Sequence, residues 1–191
     1  MKKDSGGDTV RKIIVLFVLL LLPSLVYAEP LEFRGIKMGN TRADVYNKLR
    51  IPDENGIKYF SERDAKFCIE MGICFATFHI KGVRVKTLFN FNVVQELELI
   101  TFEFDPSKYE TLKEALIEKY GDKFMSKDET VQNRMGAKFQ NETISWELSD
   151  GLVSLSRYGS KIDKGFAYIG SRDYVDSLKE RKEKQKKAPG F

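Results

Sequence analysis

The chain is short of nearly everything that marks a reactive centre. It has a single histidine, His79, two cysteines and one tryptophan. Neither a histidine cluster nor a cysteine quartet can be built from that set, and no carboxylate-rich calcium loop is present. The 14 glycines are scattered at turns, with no Gly-rich stretch to cradle a phosphate. No catalytic, cofactor-binding or metal-ligating set can be named, and no cofactor is expected. Beyond the first 28 residues no apolar run approaches the ~20 residues of a membrane-spanning helix.

What is present begins with a targeting segment. Lys2, Lys3, Arg11 and Lys12 precede the apolar run Ile13 to Leu22, and Val26-Tyr27-Ala28 places small residues at −3 and −1 of a cleavage point. Residues 1–28 read as a signal peptide, with an uncleaved anchor as the alternative, and no lipobox cysteine follows. A periplasmic or secreted protein of 163 residues would remain, enough for one domain with a real core. Without the leader the net charge falls from +4 to +2. The run Lys179 to Lys187 holds six basic and two acidic residues, leaving the body at about −2. That balance argues against a nucleic-acid partner. The expected layout is a leader over 1–28, a single domain over 29–178 and a charged, disordered tail over 179–191. Membrane contact is expected only through the leader or, weakly, the basic tail.

Cys68 and Cys74 suit an oxidising compartment. In Lys66 to Phe75 a three-residue loop, Glu70-Met71-Gly72, predicts a hairpin of strands 66–70 and 73–80. That register sets Cys68 opposite Cys74, within reach of a cross-strand disulfide. Free core thiols are the bland alternative; a metal or redox pair lacks the spacing.

The architecture is plainest between Leu97 and Asp122. Ile100, Phe102 and Phe104 alternate as in a half-buried strand, then Asp105 and Pro106 open a helix. Tyr109, Leu112, Leu116 and Tyr120 recur at helical spacing, with Ala115 widening the stripe and Gly121 as the stop. Upstream, 29–39 reads as a short strand or extended entry, and Thr41 with Asp44 begins a short helix. A loop over 52–64 admits a short strand at Ile57 to Phe60. Lys81-Gly82 and Asn92 to Gln95 are turns flanking the strand Val83 to Phe91. Downstream, 130–139 predicts a strand broken near Gly136, and Asp150-Gly151 a hairpin between strands ending at Leu148 and starting near 152. A last strand spans Phe166 to Ile169, and Tyr174, Val175 and Leu178 begin a helix. The fold class is α+β: antiparallel sheet in meander order, covered on one face by two helices. Two similar helix-plus-meander halves are one form it can take.

Phe33, Gly35, Met38, Gly39, Thr41, Asp44 and Val45 form a G-x-x-x-G-x-T-x-x-x-V entry. It resembles that of BamE/SmpA-like envelope proteins and of the β-lactamase-inhibitor-like repeat proteins. The resemblance covers about one-tenth of the chain. It implies a helical layer on an antiparallel sheet, with roles in binding and envelope assembly, and it assigns no binding residue here.

The remaining candidates have plain structural readings. His79 reads as a partly exposed strand-end residue. Glu96, Glu98 and Glu142 look like solvated carboxylates rather than a glycosidase pair. Phe89, Phe91, Phe102, Phe104, Trp146 and Tyr158 read as core, with a groove lining as the alternative. Asn141-Glu142-Thr143 is a formal glycosylation sequon. The expected function is a non-enzymatic exported domain binding a protein or cell-envelope component. The alternatives are a hydrolytic enzyme with a distant carboxylate pair and a small-ligand carrier.

Overall fold

A computed structural model describes residues 31–52, 56 and 58–187. The expected leader and its cleavage point lie outside the described residues. Two short strands, β1 (Glu32–Phe33) and β2 (Ile36–Lys37), precede helices α1 (Arg42–Arg50) and α2 (Glu62–Glu70). Strands β3 (Cys74–Ile80), β4 (Val83–Phe91) and β5 (Leu97–Phe104) follow. A 3-10 turn over Pro106–Lys108 leads into α3 (Tyr109–Tyr120). The chain closes with β6 (Met125–Gln132), β7 (Lys138–Leu148), β8 (Gly151–Ser156), β9 (Gly165–Ser171) and α4 (Arg172–Lys187).

The strand-to-helix stretch forms for the expected reasons. Asp105 accepts from the Ser107 amide at 2.9 Å, Pro106 needs no donor at that position, and Gly121 (φ 85) ends α3. Thr41 and Asp44 cap α1 reciprocally. At Lys81-Gly82 both residues have positive φ, the two-residue turn that matches strand twist.

Seven strands make one antiparallel sheet in the order β3-β4-β5-β9-β8-β7-β6. Two meanders meet where β5, the last strand of the first, pairs with β9, the last strand of the second. One face carries Cys74, Phe78, Phe89, Ile100, Phe102, Leu155, Ile144 and Trp146, all buried. These belong to the same core as Val45 and Leu49 of α1, Cys68 of α2 and Tyr109 and Leu112 of α3. Helix α4 lies on the other face. Gly170, one residue past core-facing Ile169, is where an added Cβ would crowd the Tyr174 ring.

Several expectations change. Residues 66–70 are helix, not strand: Ser61 and Asp64 form a second capping box that starts α2, and a helix so nucleated outcompetes the alternating pattern. The disulfide therefore joins a helix to a strand. Within 29–39, the short strand or extended entry expected there, residues 32–37 fold into the β1–β2 hairpin through Arg34 and Gly35, both at positive φ. No strand forms over 58–60; Ile57 lies outside the described residues. The expected 130–139 strand divides into β6, a turn at 133–137 holding Gly136 (φ 87), and the start of β7. Leu148 pairs with Gly151, so Ser149 and Asp150 form the turn. Gly151 is the first strand residue instead, and glycine is needed there because a side chain would run into the Gly170 carbonyl. α4 continues as helix through Lys187 with no break at 179.

Charged contacts at the surface set the acid response. Asp44, Asp105, Glu118, Glu129 and Glu147 are held below the usual carboxylate range. The leading cause is a hydrogen bond in each case, from Thr41, Ser107, Lys81, Lys127 and Arg172 respectively. Depressed carboxylates stabilise the fold above their unfolded pKa and lose that effect as pH falls through the folded value. Desolvation pushes Tyr109 far up and Tyr120 up to about 12. Their contribution is complete below pH 10, the ordinary phenol value, and is lost above it. The melting temperature should thus be flat from pH 5 to 9, fall modestly below pH 4 in a salt-sensitive way, and fall above pH 10 as unfolding releases phenol protons. Calorimetry across pH, with phenolate absorbance followed in parallel, checks both limbs.

Candidate functional site

The disulfide corner is the site the sequence pattern builds most deliberately. Ser61 opens α2; its hydroxyl accepts from the Asp64 amide at 3.1 Å, and Asp64 accepts from the Ser61 hydroxyl at 2.6 Å. The Met71 amide donates to Phe67. Gly72 (φ 68) then turns the chain back in a conformation a β-carbon disfavours, and one built there would also meet the Arg42 guanidinium. Cys68 and Cys74 are bonded with their Cα atoms 4.2 Å apart, and both are fully buried.

Both cysteines face inward, while the apolar residues between and beside them stand exposed. Ile69 is 58% exposed, Met71 63%, Ile73 40%, Phe75 40% and Phe67 36%. Five large apolar side chains within nine residues, pinned by one crosslink, expose on the order of a few hundred Å², the size that marks interaction sites. Polar groups rim them: Arg63 lies 5.6 Å from the Phe67 ring centroid, and Lys66 pairs with Glu70 at 3.9 Å.

Phe75 also belongs to a second feature. On the face away from α3, strands β3 to β5 and β9 leave an open groove of about 410 Å³, lined by Phe75, Leu88, Leu99 and Phe166 and edged by Lys86 and Glu103. The outward faces of these strands mix apolar, polar and charged residues, and α4 packs on β8 and on the Gly170 end of β9 beside the groove. The corner and the groove thus share a residue and form one apolar track around the β3 edge. That edge is partly closed to further strands: the Thr77 amide donates to Tyr59, and Arg34 donates to the His79 carbonyl. The opposite edge, β6, carries Lys127, Asp128 and Glu129, charges that discourage pairing.

The other candidates fall into structural roles. His79 is exposed near the end of β3, opposite Arg84. Glu96 is exposed and Glu98 half-buried, and no group of three metal-binding side chains converges among the described residues. Glu142 is not the solvated carboxylate its sequence context suggests. It lies beneath the start of α3, 2.6 Å from Lys113 and 4.0 Å from Arg157. Arg157 in turn pairs with Glu110 and sits 4.3 Å over the Tyr109 ring. Every charge in that cluster has a partner, so it clamps helix to sheet. A cleft at Glu103, Asp105 and Asp163 holds three carboxylates, but Asp105 caps a helix and Glu103 binds Lys164 at 2.5 Å. Asn141 of the sequon is 4% exposed and holds the Tyr158 backbone through both ends of its amide, which leaves no room for a glycan. Phe89, Phe102, Phe104 and Trp146 are core as expected; Phe91 and Tyr158 are half-buried.

Comparison with family models, curated proteins and solved structures finds no match for this chain.

Proposed function

We propose that this is a non-enzymatic exported domain that binds another protein of the cell envelope through the track running from Met71 to Phe166. One observation carries the reading: beside the disulfide, at a sheet edge, Phe67, Ile69, Met71, Ile73 and Phe75 all stand exposed. Maintaining exposed Ile, Met and Phe together is costly for solubility unless a partner covers them. The partner is read as presenting apolar side chains to the groove, flanked by polar groups that meet Lys86 and Glu103.

Export is supported by the leader-like residues 1–28 and by a disulfide, which persists outside the cytosol. Among the described residues no helix is long and apolar enough to cross a membrane. The entry motif from Phe33 to Val45, similar to that of BamE/SmpA-like proteins, points the same way. Against the hydrolase alternative, each carboxylate among the described residues with a displaced pKa is displaced downward, whereas an acid catalyst at neutral pH needs one raised.

The test is differential. Immobilised residues 29–191 and the variants Ile73→Asp, Phe75→Asp and Met135→Asp are exposed to native envelope extract. Met135 is 91% exposed in the distant β6–β7 turn and serves as control. One species should be retained by the wild type and Met135→Asp, and retention should drop at least tenfold in the other two. Equal retention by all four, or turnover of a small ester and glycoside panel, would contradict the reading.

A further inference from the structure

Helix α3 buries Tyr109 and Leu112, yet Leu116 and Tyr120, on the same stripe, stay half-buried. The reason is beneath them. Ala167 stands in register between Phe102 and Leu155, so the floor dips at its short side chain, and Ala115 leaves the roof equally shallow. Between them lies a hollow of about 200 Å³ whose walls are almost wholly apolar, lined also by Val85, Val153 and Phe33. A dry apolar cavity of ~150 Å³ already accepts a benzene-sized guest. This one is larger, and it opens to solvent.

The opening is cationic. Arg34 and Lys119 both line the hollow and both are exposed. Arg34 occupies the first position of the β1–β2 turn at φ 51, where asparagine or glycine is the comfortable choice and most other residues are strained through the β-carbon. Its guanidinium is fixed by the Tyr59 hydroxyl at 3.2 Å and the His79 carbonyl at 2.9 Å. Lys119 donates to the Glu32 carbonyl at 3.0 Å. Both are thus held by neutral acceptors, and neither forms an ion pair among the described residues. Glu118, the adjacent acid, is taken by Lys81. The nearest carboxylates, Glu32 and Asp150, act on Tyr120, which lines the hollow next to Lys119.

We infer that this hollow is a binding site for a small single-tailed amphiphile, its chain under α3 and its anionic head between Arg34 and Lys119. The site lies on the helix-covered face, opposite the groove assigned to the protein partner, and is independent of that assignment.

Calorimetric titration of residues 29–191 with octanoate, octan-1-ol and acetate tests it. Octanoate should bind saturably with one-to-one stoichiometry. Octanol and acetate should bind at least tenfold more weakly, since each lacks one half of the match. Ala167→Leu and Ala115→Leu fill floor and roof and should abolish octanoate binding. Should Ala167→Leu fail to fold, Ala115→Leu, at a half-buried helix position favourable to leucine, decides alone. The double variant Arg34→Gln, Lys119→Gln should reduce octanoate to the octanol level. No saturable binding of octanoate, equal binding of octanol, or full binding by a folded Ala115→Leu would overturn the inference.

Discussion

Replacing Trp146 with alanine is expected to remove about 3–5 kcal/mol of folding free energy, the usual range for a buried aromatic cut back to a methyl group. Trp146 is 2% exposed in β7, with Phe124 5.4 Å and Tyr120 6.0 Å away between ring centroids. Its Nε1 donates to the Gly121 carbonyl at 2.9 Å. That carbonyl lies at the end of α3, where helix geometry leaves acceptors unpartnered. The indole thus fills the core and ties the end of α3 to the sheet. Trp146→Phe keeps most of the bulk but abandons the carbonyl, and should cost less than half as much. Urea denaturation followed by circular dichroism measures both; a loss under 1 kcal/mol for Trp146→Ala would mean the helix end is not anchored there.

The second large effect belongs to the disulfide. With only six residues of sequence separation, the closed loop is short, and loop-entropy arithmetic gives about 2 kcal/mol for removing it as Cys68→Ala, Cys74→Ala. The consequence is local. Cys68 is the one buried residue of α2, so losing the crosslink should loosen the segment from Ser61 to Ile73. Amide exchange should accelerate there while β5 and β9, at the centre of the sheet, keep their protection. The same variant should lose partner retention at least tenfold while still unfolding cooperatively. Unchanged exchange in α2 would mean the helix is held without the crosslink.

Which parts of this molecule are legible from sequence follows from how local their causes are. The strand ending at Phe104, the Asp105-Pro106 start of α3 and the Thr41–Asp44 cap are written within a few residues of where they act. The pairing of Cys68 with Cys74 is legible too, but its geometry is not, because Phe67, Ile69, Met71, Ile73 and Phe75 alternate like a strand. The signal that settles it is Ser61 with Asp64, a capping box set back among the charged residues of a loop. The same alternation conceals the candidate site: Ile69, Met71 and Ile73 read as one face of a hairpin and instead stand exposed around a helix end and the turn after it. β6 carries no pattern to read, since Met125–Gln132 is an edge strand solvated on both sides. The β5–β9 pairing and the burial of Glu142 under α3 depend on residues far apart in the chain, and so emerge only in three dimensions. Arg34 hides for a different reason: the strands its turn joins are only two residues long, too short to alternate legibly, so the turn has no flanking pattern to mark it.

Photo-crosslinking in the native envelope shows whether a protein partner covers the apolar track. A photoreactive amino acid replaces Met71 in one variant and Met135 in another, both largely exposed. A single crosslinked protein species from position 71, absent from position 135 and lost when Phe75→Asp is added, is the predicted result. Identical products from the two positions, or none from position 71, would contradict it.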